Sequence, residues 1–256
     1  MLELRQVTKK HDDSVIFEDL SLKINKGEIV SILGPYGCSK STLLQMILGL
    51  TDISSGRITY NGADITPVPM RQGGFNSIFQ DYALLPNLNI KQNIEYGLHN
   101  NPNVSTQEEV DELIELLDIK AYLNKRIHQL SDGQKQRVTL AHTLIMKPKL
   151  LLLDEPLSAL DGMIREIIKE RIREIVVRYQ LTALIVTNDP EEAMTLSDRI
   201  LLLSDGKVAQ FAEPSEIIHN PTNDFATNFI LNQLNIKRRN ILSLFADGIS
   251  QADPLN

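Results

Sequence analysis

The chain has 256 residues, 42% hydrophobic and 23% charged, enough for one large domain or two small ones with a sizeable core. A net charge of −7 argues against nucleic-acid binding, which usually shows a basic excess, and Lys237-Arg238-Arg239 reads as a solvated run. No apolar stretch reaches the ~18–20 residues of a membrane span, and the N-terminus lacks the layout of a signal peptide. The single cysteine, Cys38, can form no internal disulfide, so a reducing, cytosolic setting is the default. In chain order, the first forty residues alternate like strands, with turn signals at His11-Asp12-Asp13-Ser14 and Asn25-Lys26-Gly27. Glu28–Leu33 is an apolar strand and Ser41–Leu48 a helix. Residues 57–60 predict a short strand closed by a tight turn at Asn61-Gly62. From about 88 to 145 the period becomes helical, most clearly over Glu108–Leu117, with Val110, Leu113, Leu116 and Leu117 on one side. Lys149–Leu153 then has the look of a strand buried on both faces. A long helix over Met163–Tyr179, a strand over Ala183–Thr187, a helix over Pro190–Leu196 and a strand over Ile200–Leu203 follow.

Strands alternating with helices at this spacing define an α/β fold with a parallel sheet. The helical stretch 88–145 interrupts it as an inserted subdomain. Residues 1–232 are expected to form the domain and 233–256 an appended tail, poor in core pattern.

Two motifs carry chemistry. Gly34-Pro35-Tyr36-Gly37-Cys38-Ser39-Lys40-Ser41-Thr42, between a strand and a helix, is a phosphate-binding loop with Ser39 where G-x-x-x-x-G-K-[ST] has glycine. Its backbone N–H groups and the helix N-terminus would cradle nucleotide phosphates. Lys40 would reach the terminal phosphates, and Ser41 would ligate Mg²⁺. Asp154-Glu155 ends a buried strand, at the sheet edge where ligands bind. Alone, such a pair reads first as a turn former; with the loop upstream, Asp154 would hold the hydrated Mg²⁺ and Glu155 would orient and deprotonate the attacking water.

Leu130-Ser131-Asp132-Gly133-Gln134, about twenty residues before the carboxylates, brings the chain to a resemblance to the ATP-binding cassette ATPases, the motor subunits of ABC transporters. Their signature is L-S-G-G-Q; here Asp132 replaces a glycine. Phe79-Gln80-Asp81 resembles their Q-loop, Ser158-Ala159-Leu160-Asp161 their D-loop, and Val186-Thr187-Asn188-Asp189 their switch segment, normally V-T-H-D. His11 falls where an adenine-stacking aromatic usually sits. The resemblance spans about residues 2–230. It implies a P-loop NTPase core with an N-terminal antiparallel β subdomain and an inserted α-helical subdomain. It also implies that Gln80 contacts Mg²⁺ and the attacking water, and that Asp161 belongs to the nucleotide-binding set. ATP would be sandwiched between the loop of one subunit and Ser131, Asp132, Gly133 and Gln134 of a second, with hydrolysis reopening the dimer.

Residues 80–98, with Asp81-Tyr82-Ala83-Leu84-Leu85-Pro86, Asn93 and Tyr96-Gly97-Leu98, resemble the segment of bacterial importer cassettes that docks on transmembrane permease subunits; subdomain core is the equal alternative for Tyr82, Leu84 and Leu85. The resemblance to iron, polyamine, sugar and betaine importers further implies an extracellular solute-binding protein as an indirect partner. The expected location is the cytoplasmic face of the membrane, as a peripheral subunit.

Three positions depart from the pattern. Ser39 introduces strain of order 1–3 kcal/mol if its φ is positive, or else donates a hydrogen bond to a phosphate. Asp132 suits a helix start by ~0.3–1 kcal/mol. It would repel a γ-phosphate at ~4 Å by about 4 kcal/mol at an effective dielectric of ~20. Asn188 cannot carry a proton as imidazole does. Two readings follow: an importer motor with reduced turnover, or a degenerate ATP-binding regulatory module with negligible hydrolysis. A third, a soluble cassette of translation or repair, would call for paired cassettes or a long coiled coil, and neither is in this chain.

Overall fold

The computed structural model describes residues 1–12, 14–66, 76–78, 84–99, 101–148, 150–158, 160 and 162–249. Its centre is a six-stranded sheet in the order β10(Lys207–Ala212), β9(Arg199–Ser204), β3(Ile29–Leu33), β8(Thr182–Thr187), β7(Leu150–Asp154), β6(Asn76–Ile78). All pairings are parallel except the β9–β10 hairpin. The continuous apolar runs follow from burial on both faces. Leu150 and Leu152 of β7 point into one core with Val30, Ile32, Leu184 and Val186. Leu151 and Leu153 point into another with Ile29, Ala183 and Ile185.

The first of these cores is closed by a four-stranded antiparallel sheet, β2(Ser14–Ile24), β1(Leu2–His11), β4(Ser55–Tyr60) and β5(Ala63–Asp64), and by helix α1(Lys40–Ile47). The β4–β5 hairpin turns at Asn61-Gly62, both with positive φ, 50° and 81°, as a two-residue Asn-Gly turn requires. The other core holds α2(Ile90–Glu95), α3(Gln107–Leu116) and α4(Asp132–Leu144), the helical insertion, together with α5(Gly162–Tyr179). Each insertion helix starts on a capping box, from Asn89, Thr106 and Ser131, which satisfies N-terminal amides the helix cannot.

A third core joins β9 and β10 to α6(Pro190–Leu196) and α7(Pro214–His219). Helix takes up residues 233–249 of the expected tail. Residues 224–231 make a helical turn and a π-helical turn that run into an eighteen-residue helix, α8(Asn232–Ile249). Its Lys237 is not simply solvated: it pairs with Asp189 at 3.2 Å and Glu191 at 2.9 Å, at the start of α6. Among the described residues, no helix is long and apolar enough to cross a membrane.

Candidate nucleotide site

Sheet register brings the chemistry together. Leu33 pairs with Thr187 and Asp154 with Val186, so β3, β8 and β7 release their chains side by side at one carboxyl edge. Loop 34–39, Asn188 and Glu155 therefore sit within three adjacent strands, about 5 Å apart per step.

The loop is wound as its sequence expects. Cys38 N–H donates to the Pro35 carbonyl at 3.3 Å. At Gly34 a Cβ would lie 2.5 Å from the Leu203 carbonyl oxygen and 2.7 Å from Cys38 Sγ, so only glycine lets β3 leave the sheet here. Gly37 has φ +83° and nothing within 4 Å of where a side chain would project, so the loop is open at that point. Ser39 has φ 64° and ψ 28°, the left-handed conformation, and its hydroxyl caps no amide of α1. The strained alternative for Ser39 is the one the backbone adopts. Burial pushes the Cys38 thiol above its ordinary range, against the pull of the nearby Lys40 ammonium.

Lys40 is buried, but its ammonium curls into the loop rather than the core. It donates to the carbonyls of Gly34 at 2.8 Å and Pro35 at 2.9 Å, and lies 5.9 Å from the centre of the exposed Tyr36 ring. A phosphate entering the loop would offer this ammonium charged acceptors in place of neutral ones, the stronger kind of hydrogen bond. Ser41 and Thr42 occupy the first turn of α1, next to Lys40.

Asp154 is buried at the end of β7. Glu155 follows with φ 49°, a left-handed turn unusual for a side chain of this kind. Asn188 Nδ2 donates to Glu155 Oε1. Thr187 donates its hydroxyl to the buried Glu192 carboxylate at 2.6 Å, and Arg165 approaches the other oxygen of that group at 3.4 Å. A cavity of about 360 Å³ opens here, lined by Tyr36, Glu155, Asn188, Arg165 and Lys237 among others.

The donor set suits a hard cation. Among the described residues no three His, Cys, Asp or Glu side chains converge as a metal cage. Ser41 and Asp154 offer oxygen ligands at the loop and the strand end, the small protein share that Mg²⁺ takes when phosphates and water complete its shell.

Other predicted residues stand apart. Ser131 caps α4 reciprocally with Gln134, at 3.3 and 3.0 Å, with Asp132 and Gly133 in its first turn. Among the described residues this segment makes no hydrogen bond or ion pair to loop 34–42 of its own chain. Asp132 is paired with Lys135 at 2.8 Å, a neutralising partner that the sequence reading of repulsion left out. His11 ends β1 at a hairpin tip, exposed and beside Asp12 at 3.2 Å, without a hydrogen bond or ring contact to the loop among the described residues. Gln80, Asp161 and the neighbouring Phe79, Asp81, Tyr82, Ala83 and Ala159 lie outside the described residues. Leu84 packs against the insertion core, whereas Leu85 and Tyr96 are exposed. Asn93, fully buried, ties this segment down, accepting from Leu85 N–H at 2.7 Å and donating to the carbonyls of Leu85, Leu88 and Asn89.

Sequence reasoning missed Gln136, Arg165 and Glu192, which are buried or half-buried polar residues around Glu155 and Thr187. Apolar periodicity, the signal used to read their helices, is silent about them.

A largely parallel sheet with a phosphate loop after β3 and adjacent carboxylates at the end of β7 defines a P-loop NTPase-type fold. The chain belongs to the ABC transporter family, whose pattern matches residues 17–158. Among similar curated proteins is the spermidine/putrescine import ATP-binding protein PotA of Mesoplasma florum. It is 40% identical over 232 residues, covering 90% of this chain and 66% of that protein. The putrescine transport ATP-binding protein PotG of Escherichia coli is 42% identical over 232 residues, covering 90% and 62%. The Fe(3+) ions import ATP-binding protein FbpC of Photorhabdus laumondii is 39% identical over 231 residues, covering 90% and 66%. The chain thus spans a little under two thirds of the length of these relatives. Among solved structures, a dimeric post-hydrolysis state of the ATP-binding cassette MJ0796 bound to ADP and Pi superposes with a TM-score of 0.74 at 29% identity. That match covers 84% of this chain and 99% of the other.

Proposed function

We propose that this chain is the ATP-binding and ATP-hydrolysing motor of an importer, working as a dimer of cassettes. The observation that carries the reading is the register that sets loop 34–39, Glu155 and Asn188 on three adjacent strand ends. The loop amides and Lys40 would hold the phosphates, with Ser41, Asp154 and Gln80 toward Mg²⁺, which supplies charge neutralisation at the phosphates. Glu155 would accept the proton of the attacking water. Asp161, Thr42 and His11 complete the proposed nucleotide contacts. Support for a second copy comes from the dimeric state of the similar cassette, and the signature segment makes no hydrogen bond or ion pair to its own loop among the described residues.

Support for import comes from the relatives, named as import or transport ATP-binding proteins for polyamines and ferric ion. Residues 80–98 would meet the permease, where Leu85 and Tyr96 are exposed on a segment braced by Asn93. A solute-binding protein would act on the far side, and the cassette would sit on the cytoplasmic face of the membrane.

Turnover is expected to be slow. Ser39 holds a left-handed conformation that glycine would adopt freely, and an amide replaces imidazole beside Glu155. The alternative, a nucleotide-binding regulatory module with negligible hydrolysis, is favoured by the same two features. Steady-state ATPase activity of the wild type against Glu155→Gln separates them. A rate that Glu155→Gln abolishes supports the motor; equal background rates from both proteins support the regulatory module.

A further inference from the structure

Glu155 sits in a left-handed turn, and three donors converge on its main-chain carbonyl. Ser158 supplies its N–H at 3.3 Å and its hydroxyl at 2.9 Å. The third donor comes from far away in sequence: Gln136 Nε2, at 3.2 Å, reaches across from the second turn of α4. The Glu155 N–H is meanwhile fixed to the Val186 carbonyl at 2.9 Å. Left-handed backbone at a non-glycine residue is strained and persists only where surroundings hold it.

Gln136 is buried, and its Oε1 has no hydrogen-bond partner among the described residues. Reversing the amide would set that oxygen against the Glu155 carbonyl oxygen. The donor orientation is therefore fixed by Glu155, and the side chain leaves its own acceptor unsatisfied to keep it. A glutamine present only to fill space could be replaced by an apolar side chain of similar volume, with no orphaned oxygen.

We propose that Gln136 is a positioning residue for Glu155: it holds the left-handed turn that aims the carboxylate, and ties that turn to the helix beginning at Ser131-Asp132-Gly133. The kinetic part rests on the reading of Glu155 as the base in ATP hydrolysis. A change at the head of α4 would then reach the carboxylate through one side chain, within one subunit.

Gln136→Met keeps length and approximate volume and removes only the donor. Ser158→Ala removes a second donor to the same carbonyl from an exposed side chain, and serves if the buried substitution impairs folding. Two quantities are read on the intact chain: kcat and KM for Mg·ATP, and amide hydrogen exchange across residues 155–158. The expected result is a kcat about tenfold lower, since small misplacements of a reacting group cost up to ~10²-fold, with KM little changed. Exchange at Ser158 should quicken while β7 and the rest of α4 stay protected. Wild-type kcat together with wild-type exchange in both variants would overturn the inference. If the wild type itself proves unable to hydrolyse ATP, the motor reading fails separately, and exchange at Ser158 alone decides whether Gln136 holds the turn.

Discussion

Asn188 donates its amide to the Glu155 carboxylate, and the oxygen of the same amide is buried without a partner among the described residues. Asn188 therefore restrains the proposed base, and its amide cannot itself carry a proton as an imidazole can. Asn188→His should raise the ATPase rate by about tenfold, equivalent to ~1.4 kcal/mol of barrier. Steady-state phosphate release with and without the substitution measures it; an unchanged rate would mean the switch position does not limit turnover.

Ser39 is the second departure, and its φ of 64° makes the expected effect definite. Ser39→Gly should stabilise the chain by ~1 kcal/mol by removing the left-handed penalty, offset in part by greater freedom of the unfolded chain. Urea unfolding midpoints at equal m-value give the answer. A lower midpoint for the glycine variant would show that Ser39 makes compensating contacts.

Asp132 carries its charge beside Lys135, 2.8 Å away, on an exposed helix start. The pair is close to neutral at a distance, which softens repulsion toward a partner-bound γ-phosphate. Asp132→Gly should favour ATP-dependent dimerisation, and Lys135→Ala should oppose it by unmasking the carboxylate. Size-exclusion chromatography of the Glu155→Gln background with Mg·ATP measures both. The difference between them should shrink as salt rises, because exposed charges are screened within about 8 Å at physiological ionic strength.

Glu192 gives a pH dependence. Its pKa is raised, chiefly by burial, against the Thr187 hydrogen bond that lowers it; Asp189 adds to the rise, and Arg165 and Lys169 oppose it. A carboxylate with a raised folded-state pKa binds more protons folded than unfolded, so stability falls as pH rises through that window. Glu192→Gln should remove this contribution. Its stability relative to wild type should therefore improve between about pH 4 and neutral. Denaturant titrations at the two ends test it, and a relative stability that does not improve toward neutral pH would sink the assignment.

Four strands of the central sheet were readable from sequence because β3, β7, β8 and β9 are buried on both faces and show as apolar runs, broken in the interior only by Ser31 of β3. The phosphate loop and the Asp154-Glu155 pair were readable because their chemistry requires fixed residue types at fixed spacing. The helix α8 was not: Ile236, Ile241, Leu242 and Leu244 are exposed and Leu234 alone among its described apolar side chains packs against the third core, too little to mark a buried stripe. Beside Leu234, its anchor is Lys237 meeting Asp189 and Glu191, 48 and 46 positions away, a contact that no local pattern announces. Gln136 escaped for the same reason, since its partner is a backbone carbonyl nineteen residues on.

Equilibrium binding of Mg·ATP to the wild type and to Lys40→Ala tests most directly whether residues 34–42 hold a triphosphate. The expected result is saturable binding by the wild type and at least roughly tenfold weaker binding by the variant, about the ~1.5–3 kcal/mol of a charged hydrogen bond. Equal affinity of the two proteins, or none in either, would contradict a nucleotide site at this sheet edge.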